Sequence, residues 1–321
     1  MFKSKLFFLL CFFLSISAVK ANTDNDLRRA DKLLLNKNYG ESFHLYQRLA
    51  KENEVPRAQF SLALFYDYGW GQNKDVKNAC KWYKKAAKNA IPAAADAYAE
   101  CLVKGSLGSV DFTEAALWYS KAAELGLYYS YCRLGDLYIN GQGVEKNTSK
   151  GLGLCKKAAK QGSVPAMLHL GEYFLKAKTV LSNKSALHWF TTAASYRSAE
   201  ADYKLGLIHD SLTLYKDHYA ALHWFEKSAS KGHEPAYLPT ATLYFNAPKD
   251  LHSGFLSETN LAKAYLWLSA SNNVLLTEKQ KILTQNMLNE VLAVMPQSWI
   301  KDLDNKVKSH LNRFPPSVSL Q

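Results

Sequence analysis

Apolar positions recur along the chain at a nearly constant spacing. Six similar segments align on one large apolar residue, which is tryptophan in five of them: Trp82, Trp118, Leu154, Trp189, Trp224 and Trp267. The first five anchors are spaced by 36, 36, 35 and 35 residues, and the last step of 43 contains an insertion around 247–258. Self-similarity at such a period is the signature of a repeat architecture.

Between the anchors lies a second apolar stripe. Ala94, Ala99 and Leu102 show its pattern, with a small residue, a second small residue five positions later and a large residue three positions beyond. This spacing predicts one face of an α-helix, which a neighbouring helix can approach closely at the small residues. Proline suits a first helical turn and precedes the stripe in four units, at Pro56, Pro92, Pro165 and Pro235. Each unit is therefore predicted to be two antiparallel helices.

The clearest unit combines Leu134, Gly135 and Tyr138 with a Gly-x-Gly-Val loop at 141–144, and several units share an Ala-x-x-Trp-Tyr-x-Lys-Ala-Ala helix. These motifs resemble the Sel-like repeat (SLR) family, a branch of the tetratricopeptide superfamily. The resemblance implies an all-α, right-handed α-solenoid of stacked antiparallel helix pairs with a C-terminal helical cap. We expect a degenerate tetratricopeptide-like unit at 26–54, six Sel-like repeats at 55–272, capping helices at 273–314 and a tail at 315–321.

Some segments depart from this pattern. The loops after Ala177 and Asp210 lack the Gly-x-Gly, and Pro239 falls inside the last repeat helix, so we expect the late repeats to be irregular. Thr277 and Gln280 have the spacing of a capping box and predict the start of the first capping helix.

The first 21 residues are typical of a secretory signal peptide. Lys3 and Lys5 precede an apolar stretch of 13 residues at 6–18, and Ala21 ends a small-residue cleavage site. An uncleaved anchor is the alternative, but a bilayer crossing needs about 20 apolar residues. We therefore expect an exported protein, periplasmic or secreted, without stable membrane insertion after cleavage.

Composition and charge narrow the function classes. With 48% hydrophobic and 21% charged residues, the chain is globular and not disordered. Its net charge of +12 favours acidic partners or polyanions in general. Nucleic acid is not expected as a ligand, because most aromatic residues fall at repeat core positions and an exported protein rarely meets it. A solvated basic face is the simpler interpretation.

Export changes the interpretation of the cysteines. Beyond Cys11 in the signal segment, four remain, and they allow three pairings: Cys80, Cys101, Cys132 and Cys155. Counted along antiparallel neighbouring helices, their positions favour Cys80 with Cys101 and Cys132 with Cys155. The alternative is that all four are small apolar core residues.

The sequence offers little chemistry. Ser-x-x-Lys occurs at 228–231 and 298–301, and the family resemblance includes β-lactamase-like members, so a cell-wall or β-lactam hydrolase is the alternative function. The companion SDN-type and KTG motifs do not occur, and the histidines show no HExxH or similar metal-ligand spacing. We expect no catalytic, cofactor or metal site.

The leading hypothesis is a non-enzymatic, monomeric adaptor for envelope processes or host–pathogen contact. Tetratricopeptide-like solenoids bind other proteins or peptides in a groove lined by their first helices. Glu100, Asp136 and Glu172 fall at one groove position in three consecutive units, which predicts a contact row for basic segments. The other candidate groove residues are Asp96, Phe60, Tyr129 and Tyr203. The alternative is that these acids pair with nearby Lys or Arg, or face water.

Overall fold

The computed structural model describes residues 22–316, and every regular element among them is helical. The predicted signal segment and residues 317–321 lie outside this range. The helices are α1 (22–35), α2 (Tyr39–Lys51), α3 (Pro56–Tyr68), α4 (Val76–Lys88), α5 (Pro92–Val103), α6 (Phe112–Glu124), α7 (Ser130–Asn140), α8 (Thr148–Lys160), α9 (Val164–Lys176), α10 (Val180–Ser195), α11 (Ala199–Ser211), α12 (His218–Ala229), α13 (Tyr237–Phe245), α14 (Glu258–Ser271), α15 (Glu278–Val294) and α16 (Gln297–Arg313).

The helices form two compact units that divide after Ala166. In the first unit the most extensive contacts join α3 to α4, α5 to α6 and α7 to α8. In the second unit they join α11 to α12 and α13 to α14. Consecutive helices therefore pack as pairs, which confirms the predicted all-α solenoid class. Between residues 22 and 316, no helix combines the length and the apolarity that crossing a membrane requires.

Small residues set the distance between paired helices. A Cβ atom added to Gly135 on α7 would lie 2.5 Å from the carbonyl oxygen of Gly151 on α8, so these two backbones are in contact. In the second unit, Gly171 and Gly206 leave the space that the rings of Phe190 and Phe225 occupy. The small residue of the sequence pattern thus acts as predicted, by admitting either a backbone or an aromatic ring.

The irregular positions follow from backbone chemistry. Pro239 lies in the first turn of α13, where a missing N–H is tolerated, because α13 begins only at Tyr237 after a short 3₁₀ turn. The loop after Ala177 turns at Lys178 with a φ of 54°, and a second 3₁₀ turn, Thr213–Tyr215, replaces the missing glycine loop before α12.

The C-terminal helices cover the last repeat helix. The predicted capping box opens α15, since the Thr277 hydroxyl accepts the Gln280 N–H and the Gln280 side chain accepts the Thr277 N–H. On α16, Asp304 accepts a hydrogen bond of 2.6 Å from the Tyr265 hydroxyl. His310 follows six residues later, and its Nε2 lies 3.1 Å from the Tyr237 hydroxyl. These contacts attach the cap to α13 and α14.

The contact between α7 and α8 predicts a position-specific effect of adding one methyl group. Gly151→Ala should lower the free energy of unfolding by about 1–3 kcal/mol, because its Cβ meets the Gly135 carbonyl. Gly153→Ala on the same helix meets nothing within 4 Å and should be neutral or raise that free energy by about 0.5–1 kcal/mol. Urea unfolding of both variants measures the difference, and equal effects would contradict the close approach.

The cap predicts a pH-dependent stability. Burial, together with the positive charge of Arg313, lowers the pKa of His310 below its ordinary value of 6.5. The unfolded chain therefore takes up a proton more readily, so the stability of the cap is full above about pH 6.5 and falls as the pH drops below it. His233, whose burial also lowers its pKa, should add to this loss.

Thermal melting of the wild type and of His310→Gln across this range measures the effect. We expect the variant to lose less stability on acidification than the wild type. His218→Gln on α12, outside the cap, is the matched control for replacing a histidine elsewhere in the chain.

Candidate functional site

The candidate groove residue Glu100 lies at the centre of a polar network between α5, α6 and α7. Its carboxylate accepts hydrogen bonds from the Tyr119 hydroxyl at 2.9 Å and from the Arg133 guanidinium, and it pairs with Lys104 at 3.0 Å. Burial raises the pKa of Glu100, but the bonds from Lys104 and Tyr119 and the charge of Arg133 outweigh it. The net pKa lies below the usual value. Glu100 is therefore ionised and neutralised by its neighbours.

Asp96, one turn earlier on α5, joins the same network. It accepts a hydrogen bond of 2.7 Å from the Ser130 hydroxyl, and the Arg133 Nε lies 3.6 Å from it. Burial raises the pKa of Asp96, and the opposing effects of Arg133 and Ser130 only partly offset it. Together Asp96 and Glu100 tie α5 to α7, the first helices of two successive repeats.

The second unit repeats this connection. Glu172 on α9 accepts a hydrogen bond of 2.6 Å from Lys204 on α11. Glu100 and Arg133 are separated by 33 residues, and Glu172 and Lys204 by 32, so both pairs use the same two repeat positions. Asp136, the third acid of the predicted row, is half-buried on α7. Asp96, Glu100 and Glu172 therefore each interact with a nearby Lys or Arg, which was the alternative interpretation of the sequence. Their role as a contact row for a partner stays a prediction.

Two predicted aromatic anchors pack in the first unit. The Phe60 ring lies 5.8 Å from the Tyr83 ring, between α3 and α4. The Tyr129 ring lies 5.6 Å from the Arg133 guanidinium carbon, so this arginine contacts both an aromatic face and the carboxylates. Phe60 and Tyr129 are each half-buried, which leaves part of each ring accessible to a ligand.

The third anchor, Tyr203, borders a pocket of about 560 Å³ in the second unit, here called the C-terminal pocket. Phe225 also lines this pocket, and its ring lies 5.7 Å from that of Tyr203. The remaining lining residues come from α11, α13, α15 and two connecting segments: Asp210, Glu234, Pro235, Leu238, Pro239, Thr242, Leu243, Val274, Leu275, Leu276, Gln280 and Leu283.

Sequence reasoning missed two parts of this site. Arg133 and Lys204 could have been found by comparing the charged residues of successive repeats at equal positions. The wall of the C-terminal pocket that 274–276 and Leu283 supply lies beyond the last repeat, where no repeat pattern predicts a position.

The cysteines form the two neighbour pairs favoured above. Cys80 on α4 is bonded to Cys101 on α5 with a Cα separation of 5.9 Å, and Cys132 on α7 to Cys155 on α8 with 4.0 Å. Each bond joins two consecutive helices.

The Ser-x-x-Lys segment at 228–231 serves as a structural brace. Ser228 is fully buried, and its hydroxyl donates a hydrogen bond of 2.7 Å to the Ala199 carbonyl. Lys231 pairs with the fully buried carboxylate of Asp202. Because both motif residues are engaged between α11 and α12, this segment presents no accessible nucleophile for hydrolysis.

The sequence model of the Sel1 repeat matches six segments of the chain: 33–54, 56–90, 92–127, 129–163, 164–195 and 199–233. Two solved structures share the fold. A protective antigen present in uropathogenic Escherichia coli strains, which displays an SLR fold, superposes with a TM-score of 0.58 at 21% identity, over 94% of this chain and 63% of that one. A Sel1 repeat protein from Oxalobacter formigenes superposes with a TM-score of 0.57 at 24% identity, over 77% of this chain and 98% of that one.

Two relatives are similar in sequence over shorter regions. An uncharacterised protein of Neisseria meningitidis serogroup B is 29% identical over 186 residues, which are 58% of this chain and 38% of that protein. A chitin synthase regulator of Saccharomyces cerevisiae is 42% identical over 53 residues, which are 16% of this chain and 8% of that protein. The chain thus spans well under half the length of either relative.

The two cysteine pairs predict a defined disulfide map and a measurable stabilisation. Peptide mapping without reductant should recover Cys80 linked to Cys101 and Cys132 linked to Cys155. Reduction should lower the free energy of unfolding by about 2–4 kcal/mol per bond, because each bond limits the freedom of the unfolded chain. Recovery of four free thiols from protein isolated from an oxidising compartment would contradict the prediction.

Proposed function

Because the chain belongs to the Sel1 repeat family, whose solenoid fold is typical of protein–protein interaction scaffolds, we propose that it is an exported, non-catalytic adaptor. It holds one or more protein segments along its first helices, in an envelope process or at contact with a host. The exported location rests on the signal-like sequence of residues 1–21.

One observation carries the proposal: the first helices of three successive repeats present an acid at the same position, and aromatic rings lie on other first helices. Glu100 on α5 and Glu172 on α9 are each held by a basic residue of the next first helix. Such a bond fixes the direction of the carboxylate before any partner arrives. Fixed side chains lose little conformational entropy on binding, which favours affinity.

The fixed acids also retain capacity for a ligand. The Glu172 side chain is 44% exposed, and Lys204 makes one hydrogen bond to it. An ionised carboxylate offers about four acceptor sites, so a lysine, an arginine or an amine of a partner finds acceptor positions there. Phe60 and Tyr129 supply apolar surface for neighbouring side chains. A basic segment with apolar residues is therefore the partner chemistry that these side chains fit best.

A charge reversal in this row tests the proposal. Asp136→Lys should weaken the capture of partner proteins by at least about tenfold, since the partner's cation then meets a like charge. The measurement is affinity capture from the native organism with the purified protein as bait, followed by quantification of the bound proteins. Circular dichroism and melting temperature should stay close to those of the wild type.

The matched control is Asp302→Lys on α16, at a side chain that is 69% exposed and paired within its own helix with Lys306. It changes the net charge equally but lies outside the groove positions, so capture should be unchanged. Unaltered capture by the triple reversal of Glu100, Asp136 and Glu172 would refute the contact row.

A further inference from the structure

The C-terminal pocket differs from the rest of the first-helix surface because the cap, and not a further repeat, bounds it. α15 packs mainly on α14 and touches α13 at few positions. The side of α13 that another repeat would cover therefore stays open. Leu238 and Leu243 of α13 line the C-terminal pocket together with Leu283 of α15.

The rim of this pocket is unusually apolar for a surface. The Leu275 side chain is 74% exposed and that of Leu283 is 46% exposed, and both line the pocket. Exposed apolar side chains around a concave site mark interaction surfaces in soluble proteins. The volume of about 560 Å³ lies in the range of about 300–1,000 Å³ that is typical of ligand pockets.

Charge decides what the pocket accepts. Asp210 at the end of α11 and Glu234 before α13 both line it, and no lysine or arginine is among the described lining residues. This concentration of negative charge lies in a protein with a net charge of +12. An apolar pocket with two carboxylates at its edge complements a peptide in which an apolar residue stands next to lysine or arginine. A lipid with an anionic headgroup or an acidic peptide fits it poorly.

We propose that the C-terminal pocket binds an apolar side chain of a partner peptide whose neighbouring residue is lysine or arginine. The apolar side chain packs against Phe225, Leu238 and Leu283, and the cation pairs with Asp210 or Glu234. This proposal rests on the proposed adaptor function and specifies one anchor point for its partner.

Substitutions at two adjacent residues of α15, Leu283 and Ile282, test whether peptides bind in the C-terminal pocket. Leu283 lines the C-terminal pocket, whereas Ile282, which is 62% exposed, lies outside its lining. Random peptides displayed on phage are selected against the immobilised purified protein, and the enriched peptides are synthesised with a fluorescent label. Their dissociation constants are then measured with the wild type, Leu283→Glu and Ile282→Glu. Both variants place a carboxylate on an exposed helix position, so both are expected to fold.

We expect the enriched peptides to share an apolar residue beside lysine or arginine. Leu283→Glu should weaken their binding by at least about tenfold, because it places a charge against the bound apolar side chain, whereas Ile282→Glu should leave it unchanged. Replacing the apolar residue of the peptide by alanine, or its cation by glutamate, should weaken binding similarly. Asp210→Asn should weaken the binding of the peptide that carries lysine or arginine. It should not change the binding of a peptide in which glutamine replaces that cation.

Three results would overturn the proposal. Equal binding to Leu283→Glu and to the wild type would place the peptides elsewhere and leave the adaptor function intact. Absence of any enriched peptide would refute the pocket as a peptide site, while the capture experiment with Asp136→Lys decides the adaptor function separately. Equal binding of an enriched peptide and of its version with alanine in place of the apolar residue would show that the protein binds no apolar anchor.

Discussion

The close approach of consecutive helices is the constraint on which this structure depends. An isolated helix pair of this kind leaves one apolar face uncovered, and only the next helix along the chain can cover it. Gly135 and Gly151 show how little space remains, since their backbones touch where other units place an alanine or a ring. The same constraint explains the cap, because the last repeat needs α15 and α16 in place of a further repeat.

The charged residues contribute little to the stability of this packing, but they connect specific helices. Partly exposed ion pairs contribute about 0–1 kcal/mol each, so Glu100–Arg133 and Glu172–Lys204 are minor sources of stability. They do, however, cross from one first helix to the first helix of the next repeat. In the proposed adaptor function, a partner that binds these carboxylates would therefore compete with the bonds that connect successive repeats.

Repetition determined how much could be predicted from the sequence. The helix pairs, the capping box at Thr277 and the neighbour pairing of Cys80 with Cys101 all follow from spacing, because spacing fixes which residues share a helix face. The burial of Ser228 could also be predicted from the repeat. Ser228 lies four residues after its tryptophan anchor, as Ala86 does in an earlier unit, and both residues are fully buried. The C-terminal pocket was not predictable in this way. Its outer wall depends on the path of the chain after Asn272 and on the position of α15. No earlier repeat has an equivalent of either.

The two disulfide bonds have a mechanical consequence. A chain pulled from both ends transmits tension along its backbone, but a bond between two cysteines diverts the load past the residues between them. The bonds at Cys80–Cys101 and Cys132–Cys155 enclose sequence separations of 21 and 23 residues. Each therefore shields about 70 Å of contour length from the applied force. An oxidised molecule stretched between two anchoring surfaces reaches its limit of extension earlier than a reduced one, and its α4–α5 and α7–α8 segments stay short.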